Sequence, residues 1–446
     1  MANKIVLNPQ QKAAMGAMVE FIQGSEWAFT LQGYAGTGKT STIQQLVPIL
    51  QEMGKPVAFS APTHKAVKVL SAMARRNGIG IRCATIHSLL SLKVERVQEQ
   101  EKIARDPKGK ESVRDFKVVV VDECSMIGKD LFRYIEQTSE RHHVKFIFMG
   151  DPAQLPPVGE NHSPTLEIDG ATLTQVMRQR GENPILGLCT DIREMMETGG
   201  YRLPLVIPQC EDHGEIGLHV MAGAYFQEYM PVAFSHENFD DNPDRFRIVA
   251  WTNLTVEGYN RMIQEFRYPG LQTPFADGEP VVFSNPALSR SVIGNENTYE
   301  GDIVVSTETE GFIRGTPEKA PHPLYPEIQA WIVTVELESG VNVALWTLDK
   351  FGTSVHDALL RDRAAKAKAK DGSGSWFSYW ALRESFAKIR PAYAMTAHKS
   401  QGSTFENVFV DALNIWKNPN KAEALQCLYV ACSRASHHLI LNASGI

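Results

Sequence analysis

One glycine-rich stretch constrains the fold of this chain more than any other feature. Residues 33–40 read GYAGTGKT, fit the pattern G-x-x-x-x-G-K-[ST], and lie between the apolar run Trp27 to Leu31 and a helix-like segment. Such a loop surrounds phosphates with backbone N–H groups, while a lysine such as Lys39 reaches the outer phosphates and a hydroxyl such as Thr40 ligates Mg²⁺. The sequence therefore predicts a nucleoside triphosphate site at Gly33, Ala35, Gly36, Thr37, Gly38, Lys39, Thr40 and Ser41.

Two carboxylates follow the next strongly apolar run. Val118 to Val121 is an unbroken valine run, typical of a central parallel strand, and Asp122 and Glu123 come directly after it. Asp122 is suited to holding Mg²⁺ and Glu123 to orienting and deprotonating an attacking water. A third predicted strand, Val144 to Met149, leads to Gln154, which we expect beside the γ-phosphate. An isolated acidic turn is the alternative, but the spacing after the P-loop favours a nucleotide hydrolase.

These motifs, in this order, resemble those of superfamily 1 helicases, above all the Dda type of T-even phages and the RecD-like branch. The likeness runs from LNPQQ at residues 7–11 to LYVACSRA at residues 428–435. It implies an ATP-dependent DNA helicase that uses ATP and Mg²⁺, moves 5′→3′ along single-stranded DNA and unwinds duplex. The polarity comes from the resemblance alone, because residue spacing does not determine it.

The resemblance also assigns roles to three single residues. It implies that Gln11 contacts adenine, although Asn8 and Gln11 equally predict a capping box at the start of the first helix. It implies that Arg178 and Arg434 act as arginine fingers, which reach the γ-phosphate from the second core. Ser433 stands where the family usually has a threonine, so the hydrogen bonding around Arg434 is open at this stage.

Strand-to-helix turns in both halves of the chain resemble the DNA-contacting elements of the family. Helix N-termini and hydroxyls suit phosphates, and imidazoles can stack on bases. An ordinary helix cap or surface charge explains any one residue equally well, but it does not explain the repetition in both halves. The predicted DNA contacts are Pro62, Thr63, His64, Lys65, Thr85, His87, Thr252, Asn253, Thr396, His398, Lys399, Gln401 and Ser403.

The chain is too long for one hydrophobic core, at 446 residues of which 43% are hydrophobic. We predict an α/β fold with two RecA-like P-loop cores built on parallel sheets, each carrying an insertion. The expected parts are a first core at residues 1–84 and 116–170, a hairpin insertion at 85–115, a second core at 171–268 and 392–446, and a small β-barrel with a helical hairpin at 269–391.

The two insertions are given family roles only by the resemblance. A β-hairpin is predicted within residues 92–115 with its turn at Asp106 to Gly109, and it would be the pin that separates strands. A solvated hairpin without that role is the alternative. Helices at residues 357–370 and 376–388 would form a protruding tower, although core packing is favoured for the tryptophans of the second helix.

Composition limits the partners and the compartment. The net charge of −6 gives no general attraction to a polyanion, so DNA must be held in a local groove by specific residues and by base stacking. Six cysteines without paired metal-ligand spacing predict reduced thiols and no zinc site. Without a signal-peptide pattern or a bilayer-length apolar run, we expect a soluble cytoplasmic protein, in the host if phage-encoded. Expected partners are single-stranded DNA, duplex junctions and single-strand-binding or replication and recombination proteins, and the chain is expected to act as a monomer.

Other classes with a P-loop fit less well. A RecA-type filament protein would carry one core and no second-core arginines, and a P-loop kinase would lack paired DNA elements. A translocase that moves on single strands and displaces proteins without processive unwinding stays open, because only the hairpin insertion distinguishes it.

Overall fold

A computed structural model gives the structure of residues 7–97, 100–106, 109–175, 183–204, 206–211, 214–235, 239, 242–293, 303–369 and 372–443. Of the predicted site residues, Arg178 lies outside these described residues. In the described part of the chain, no helix combines the length and apolar character that crossing a bilayer requires.

Strands and helices alternate through both ends of the chain, with a strand-rich region between them. The strands up to residue 250 are β1 (Ala28–Gly33), β2 (Val57–Ala61), β3 (Arg82–Thr85), β4 (Leu92–Val97), β5 (Gln100–Arg105), β6 (Val118–Val121), β7 (Lys145–Gly150), β8 (Gly170–Leu173), β9 (Gln209–Glu211), β10 (Ile216–Met221) and β11 (Phe246–Ala250). The later strands are β12 (Pro280–Phe283), β13 (Ala287–Leu288), β14 (Ile303–Val305), β15 (Glu310–Ile313), β16 (Glu318–His322), β17 (Tyr325–Leu337), β18 (Asn342–Thr347), β19 (Ile389–Pro391), β20 (Ala394–Thr396), β21 (Phe405–Val410) and β22 (Ala435–Asn442).

The helices lie mainly between the strands of the two parallel sheets. They are α1 (Pro9–Gln23), α2 (Lys39–Glu52), α3 (His64–Arg76), α4 (Ile86–Leu89), α5 (Lys129–His142), α6 (Pro184–Thr198), α7 (Gly223–Phe234), α8 (Asn253–Arg267), α9 (Lys350–Ala369), α10 (Trp376–Arg383), α11 (Ala397–Ser400), α12 (Ala412–Trp416) and α13 (Lys421–Cys432). Short 3₁₀ turns occur at Ser112–Asp115, Cys124–Met126, Pro164–Glu167, Pro243–Arg245 and Ser289–Ser291.

The first sheet is parallel and has the strand order β3-β2-β6-β7-β1-β8. Val118 and Val120 pack on one face with α1 to α3, and Val119 and Val121 pack on the other with α4 and α5. A strand covered on both faces explains the unbroken valine run. Strands β6, β7 and β1 are neighbours, so the elements that follow them meet at one edge of the sheet.

The boundary of the first core differs from the prediction. Strand β8 pairs with β1 from Thr30 opposite Gly170 to Gly33 opposite Leu173, so the first sheet extends beyond the predicted limit at residue 170.

The predicted hairpin exists, but its turn was wrongly placed. Strands β4 and β5 pair from Leu92 opposite Arg105 to Val97 opposite Gln100, so the chain reverses between Val97 and Gln100. Asp106 lies instead at the base, where its N–H donates to the Ser91 carbonyl at 2.8 Å. The insertion is also shorter than predicted, because Val113 is fully buried in the first core.

The second sheet has the order β20-β11-β21-β22-β10-β9, parallel except for β9 at its edge. Val249 packs on one face with α6 and α13, and Ile248 and Ala250 pack on the other with α7 and α8. The α/β class with two parallel-sheet cores is thereby confirmed.

The strand-rich insertion forms an antiparallel sheet in the order β16-β17-β15-β12-β19, with β18 on β17. In the described residues this path does not close, so the structure shows an open sheet where a barrel was predicted. The first insertion helix begins at Lys350 rather than at residue 357. The second ends at Arg383 rather than at residue 388, because the chain then enters β19 beside β12.

Candidate active site and nucleic-acid interface

The P-loop has the backbone that a phosphate cradle requires. Gly36 and Gly38 have φ angles of +79° and +80°, in the left-handed region that glycine tolerates, and α2 begins at Lys39. The Lys39 amine donates to the carbonyls of Gly33 at 2.5 Å and Tyr34 at 3.2 Å. The amine that was predicted to reach phosphate is therefore folded back onto its own loop.

Gln11 supports this loop from the first helix. Its Nε2 donates to the Thr37 carbonyl at 3.1 Å, and its Oε1 accepts from the Asn8 N–H at 2.9 Å. The Asn8 side chain accepts from the Gln11 N–H at 2.8 Å, which completes the capping box. The cap alternative is thus realised, and the adenine contact stays a prediction.

Asp122 and Glu123 follow β6 at the edge where the P-loop follows β1. Glu123 has φ +53° and ψ +40°, an uncommon conformation for a residue with a side chain, and its N–H donates to Asp122 at 2.9 Å. Burial raises the pKa of both carboxyls, and the charge of Asp122 helps to raise the pKa of Glu123 to about 7. The Lys39 charge opposes both shifts. Glu123 can therefore accept a proton near neutral pH.

The donor set fits the predicted cation. The Thr40 hydroxyl and the Asp122 carboxylate are oxygen ligands of the kind that Mg²⁺ takes alongside phosphates. Thr40 lies in the first turn of α2, and Asp122 lies at the end of β6, two strands from β1 in the first sheet.

Arg434 follows α13 of the second core and is buried at 6% exposure. Its guanidinium donates to the Ser403 carbonyl at 3.1 Å, the Val430 carbonyl at 3.0 Å and the Ser433 hydroxyl at 2.7 Å. Serine therefore supplies the hydrogen bond that the sequence left open at residue 433. The positive charge of Arg434 offsets part of the rise in the pKa of Glu123, so it acts on the predicted base from the opposite core.

Gln154 lies where the two cores meet. It is 8% exposed, and Gln401 of the second core donates to its side chain at 3.5 Å and to the Leu155 carbonyl at 3.1 Å. Gln401 and Ser403 are themselves 5% and 1% exposed. The structure thus places Gln401 in the contact between the cores, and Ser403 is buried with its carbonyl bonded to Arg434 of the same core.

The predicted DNA elements of the first core are close together. Thr63 caps α3 by accepting from the Ala66 N–H, and Thr85 caps α4 by accepting from the Ser88 N–H, each at 3.2 Å. Burial lowers the pKa of His64 and His87, and the nearby His64 further lowers that of His87. Both rings are therefore neutral near pH 7 and suited to stacking.

Pro62, the predicted DNA contact that precedes Thr63 in the chain, is half-buried.

The second core repeats this arrangement. Thr252 caps α8 by accepting from the Thr255 N–H at 3.2 Å, and Thr396 caps α11 by accepting from the Lys399 N–H at 3.3 Å. Asn253 is exposed at the start of α8. In both cores, the threonines predicted to contact DNA are thus also the residues that cap the helices.

His398, the imidazole of this group, has an ionisable neighbour. Its Nε2 lies 3.8 Å from a Glu423 carboxylate oxygen. Burial lowers the pKa of His398, and Glu423 partly opposes that shift. This ring too is therefore neutral near pH 7.

The two predicted DNA-binding lysines pair with the strand-rich insertion. Lys65 lies 3.0 Å from Glu310, and Lys399 lies 2.6 Å from Glu308. Burial alone would raise the pKa of Glu310, but Arg247, at 3.0 Å, and Lys65 lower it to about 2. Both amines are thus occupied by carboxylates. Sequence reasoning missed these carboxylates, since no motif or spacing connects residues so far apart in the chain.

Tyr429 of α13 was also missed, although it lies inside a motif that the sequence showed. Its hydroxyl donates to Asp151 at 2.5 Å and accepts from the Ala35 N–H of the P-loop at 3.1 Å. Both Tyr429 and Asp151 are 1% exposed. The second core therefore touches the P-loop directly.

Gly402 marks another close approach of the cores. Its φ is +69°, and a Cβ there would lie 3.1 Å from the Ala66 Cβ and 3.6 Å from Glu123 Cγ. The second-core motif thus passes between the predicted base and the start of α3.

Comparisons with known proteins match this arrangement at both ends of the chain. The model of an AAA domain matches residues 6–216, and the model of a UvrD-like helicase C-terminal domain matches residues 391–442. These ranges contain the nucleotide motifs and the motifs around His398 and Arg434.

Two relatives match over almost their whole length. An uncharacterized protein of Acanthamoeba polyphaga mimivirus is 26% identical over 494 residues, covering 97% of this chain and 99% of the relative. The ATP-dependent DNA helicase dda of Enterobacteria phage T4 is 26% identical over 458 residues, covering 97% of this chain and 98% of the relative.

One solved structure, of Pif1 helicase from Bacteroides in complex with ADP-AlF3 and ssDNA, has a TM-score of 0.51 to this chain. The likeness covers 99% of this chain and 94% of that chain at 15% sequence identity. It supports the fold described above.

Proposed function

Because this chain belongs to the superfamily 1 DNA helicases and is an ATP-dependent DNA helicase, we propose that it moves 5′→3′ along single-stranded DNA and separates the duplex ahead of it. The contact between the two cores at the nucleotide site carries this proposal. Tyr429 is hydrogen-bonded to Asp151 and the P-loop, and Gln401 is hydrogen-bonded to Gln154. A structural change in the nucleotide site can therefore displace the second core.

The enzyme uses ATP with Mg²⁺, and the P-loop residues take the roles that their chemistry allows. Lys39 would exchange the carbonyls of its own loop for phosphate oxygens, and Thr40 and Asp122 would hold Mg²⁺, which neutralises phosphate charge. Glu123 would accept the proton of the attacking water, since its raised pKa suits a general base. Gln154 would help to orient that water.

Arg434 completes the site from the second core. In the proposed cycle it leaves its carbonyl partners on closure and stabilises the charge that develops in the transition state. The charge of Arg434 partly offsets the rise in the pKa of Glu123, which supports a role for both groups at one site. Arg178 is proposed to act in the same way.

Movement along DNA would follow from two grips on different cores. Thr63, His64 and His87 would hold the strand on the first core, and His398 and Lys399 would hold it on the second. Closure over ATP changes the distance between the grips, and hydrolysis restores it. We take the 5′→3′ direction from the resemblance to the Dda and RecD-like branch.

The hairpin β4–β5 is proposed as the pin that meets the duplex. It lies between the Thr85 element and the Asp122 carboxylate in the chain, forms a two-stranded sheet of its own, and is bonded to α5 through the Ile103 carbonyl of β5. A wedge held in this way can resist the duplex while the cores pull a strand past it.

A strand-displacement assay tests the proposal. Duplexes with a 5′ tail, a 3′ tail or blunt ends are compared at equal ATP and Mg²⁺, with single-strand-stimulated ATP hydrolysis measured beside them and Lys39→Ala as the inactive control. We expect displacement from the 5′-tailed duplex only, at a rate per chain independent of protein concentration if a monomer suffices. Displacement from the 3′ tail alone would contradict the polarity. Release of streptavidin from single strands without duplex separation would favour a translocase instead.

A further inference from the structure

We infer that the Tyr429 hydroxyl is a positioning group that couples the phosphate loop to the helix end carrying Arg434. The inference rests on the proposed two-core cycle and adds the residue through which one core senses the other. Tyr429 is not a catalytic residue in this inference, because it acts through Asp151, the P-loop backbone and Arg434.

The hydroxyl bridges three separate elements. It donates to Asp151 after β7, and it accepts from the Ala35 N–H in the P-loop, while its ring belongs to the buried core of the second domain. The remaining Asp151 oxygen accepts from the Ala153 N–H at 2.9 Å. Burial raises the pKa of the Tyr429 hydroxyl well above its usual value, so it stays protonated and can donate.

The surroundings of this bridge exclude water. Ala153 and Leu155 of the first core lie in the same apolar cluster as Tyr429, and Tyr34 and Ala35 pack against that cluster. A carboxylate in such a place is costly without its hydrogen-bond donor. The Tyr429 hydroxyl is thus a strong link between the cores, and the cores cannot part here without exposing or unpairing Asp151.

The bridge is rigidly connected to Arg434. Tyr429 lies in the last turn of α13, its carbonyl accepts from the Ser433 N–H at 3.0 Å, and the Arg434 Nε donates to the next carbonyl, that of Val430. Any shift of Tyr429 relative to the P-loop therefore shifts the backbone to which Arg434 is bonded.

Two groups at the phosphate loop are hydrogen-bonded to protein partners. The Tyr429 hydroxyl occupies the Ala35 N–H, and the carbonyls of Gly33 and Tyr34 occupy the Lys39 amine. A triphosphate that rearranges the loop must compete with Tyr429. This competition transmits nucleotide binding to α13. Removing the hydroxyl should therefore abolish that transmission without lowering the affinity for the nucleotide.

The test compares Tyr429→Phe with Tyr259→Phe. Tyr259 is the matched control, since its buried hydroxyl also donates to an aspartate, Asp411 at 2.6 Å, but entirely within the second core. For each variant, kcat and KM for ATP are measured with saturating single-stranded DNA, together with the Kd of a fluorescent ATP analogue and the Tm.

We expect Tyr429→Phe to lower kcat about tenfold, which corresponds to ~1.4 kcal/mol, with a Kd that is unchanged or lower. Tyr259→Phe should lower the Tm comparably but change kcat by less than about twofold. A kcat for Tyr429→Phe within about twofold of the control variant would overturn the inference. So would a tenfold loss of analogue affinity, which would make the hydroxyl a nucleotide-binding group.

A second variant protects the test against misfolding. Asp151→Asn keeps the shape of the side chain and an acceptor for the Ala153 N–H but removes the charge that Tyr429 meets, and it should reproduce the kcat loss. If Asp151→Asn folds and turns over ATP like the wild type, the bridge does not couple the cores. If the wild type itself shows no DNA-stimulated ATP hydrolysis, the proposed function fails rather than the role of Tyr429.

Discussion

Lys399 donates to Glu308 at 2.6 Å, so a lysine predicted to hold DNA is paired with a carboxylate of the strand-rich insertion. Lys65, on the other core, is paired in the same way with Glu310 at 3.0 Å. The two carboxylates lie within a few residues of each other, at and just before β15. Each carboxylate is paired with an amine that was predicted to contact DNA phosphates.

Replacing Glu308 with glutamine should therefore tighten the binding of single-stranded DNA. The pair is partly exposed, with 32% of the Lys399 side chain and 25% of the Glu308 side chain accessible, so solvent screens it. We expect a Kd about two- to fivefold lower at low salt, as for the loss of one competing surface ion pair. Fluorescence anisotropy with a labelled oligonucleotide measures it.

Glu338→Gln is the matched control, because Glu338 makes an equally short pair with Lys68, which is not among the predicted DNA contacts. Its affinity for DNA should stay at the wild-type value. The gain for Glu308→Gln should shrink as salt is added, since salt screens the competing pair. Equal affinities for both variants would show that Lys399 does not meet the DNA.

Lys39→Ala should abolish ATP turnover and leave DNA binding measurable. The amine contacts only P-loop carbonyls among the described residues, so its loss removes the predicted phosphate contact with little change in packing. Lys145→Ala is the control, because the Lys145 amine also donates to backbone carbonyls of the first core but lies outside the site. Turnover by Lys39→Ala near the wild-type rate would refute the site.

Arg434→Ala should lower kcat by a factor on the order of 10³, the range found for arginine fingers. It should also lower the Tm, because the buried guanidinium bonds to Ser403 and Val430. Ser433→Ala separates the two effects, since it removes a hydrogen bond to Arg434 and keeps the charge. If Arg434→Ala lowers the Tm but keeps kcat, the arginine is structural. Arg178→Ala should lower kcat in the same way.

The pH dependence of ATP hydrolysis should report Glu123. Its pKa is raised to about 7, first by burial and then by the charge of Asp122. Below that pH the carboxyl is protonated and cannot accept a proton, so kcat/KM should fall as pH drops below about 7. A profile that is flat from pH 6 to 8 would argue against Glu123 as the base.

The raised pKa of Glu123 also predicts that the free energy of unfolding depends on pH. The folded state binds this proton more tightly than the unfolded state, where the pKa is near 4.5. The stabilisation is therefore full below pH 4.5 and is lost as pH rises through about 7. Chemical unfolding of the wild type and Glu123→Gln over this range should show the difference, with the variant less dependent on pH.

Replacing residues 93–104 with a tight turn should abolish duplex unwinding and preserve single-strand-stimulated ATP hydrolysis. The replacement keeps the Leu92–Arg105 pair at the hairpin base and the buried Val113, so the first core stays intact. Both activities are measured on the same preparation, and the ATP hydrolysis serves as the control for folding. Unwinding at the full rate would mean that another element, such as the strand-rich insertion, separates the strands.

The sequence predicted what short-range pattern controls. The sequence revealed the P-loop, the valine strand and the Asp122–Glu123 pair. Each of these features is set by residues close together in the chain, within a single strand and the turn after it. The hairpin was predicted but its turn was misplaced, because Asp106 to Gly109 carries stronger turn residues than the true tip. The partners of Lys65, Lys399 and Tyr429 could not be predicted, since each depends on how separate domains pack.

The brace beneath the hairpin has a mechanical consequence. Tyr134 donates to the Ile103 carbonyl at 3.1 Å, and Arg105 donates to Thr138 at 3.0 Å, which fastens β5 to the middle of α5. That helix leads directly into β7, whose end carries Asp151. A force on the hairpin is therefore transmitted through α5 and β7 towards Asp151 at the nucleotide cleft. An opposing force at a fork should slow ATP turnover itself as well as forward movement.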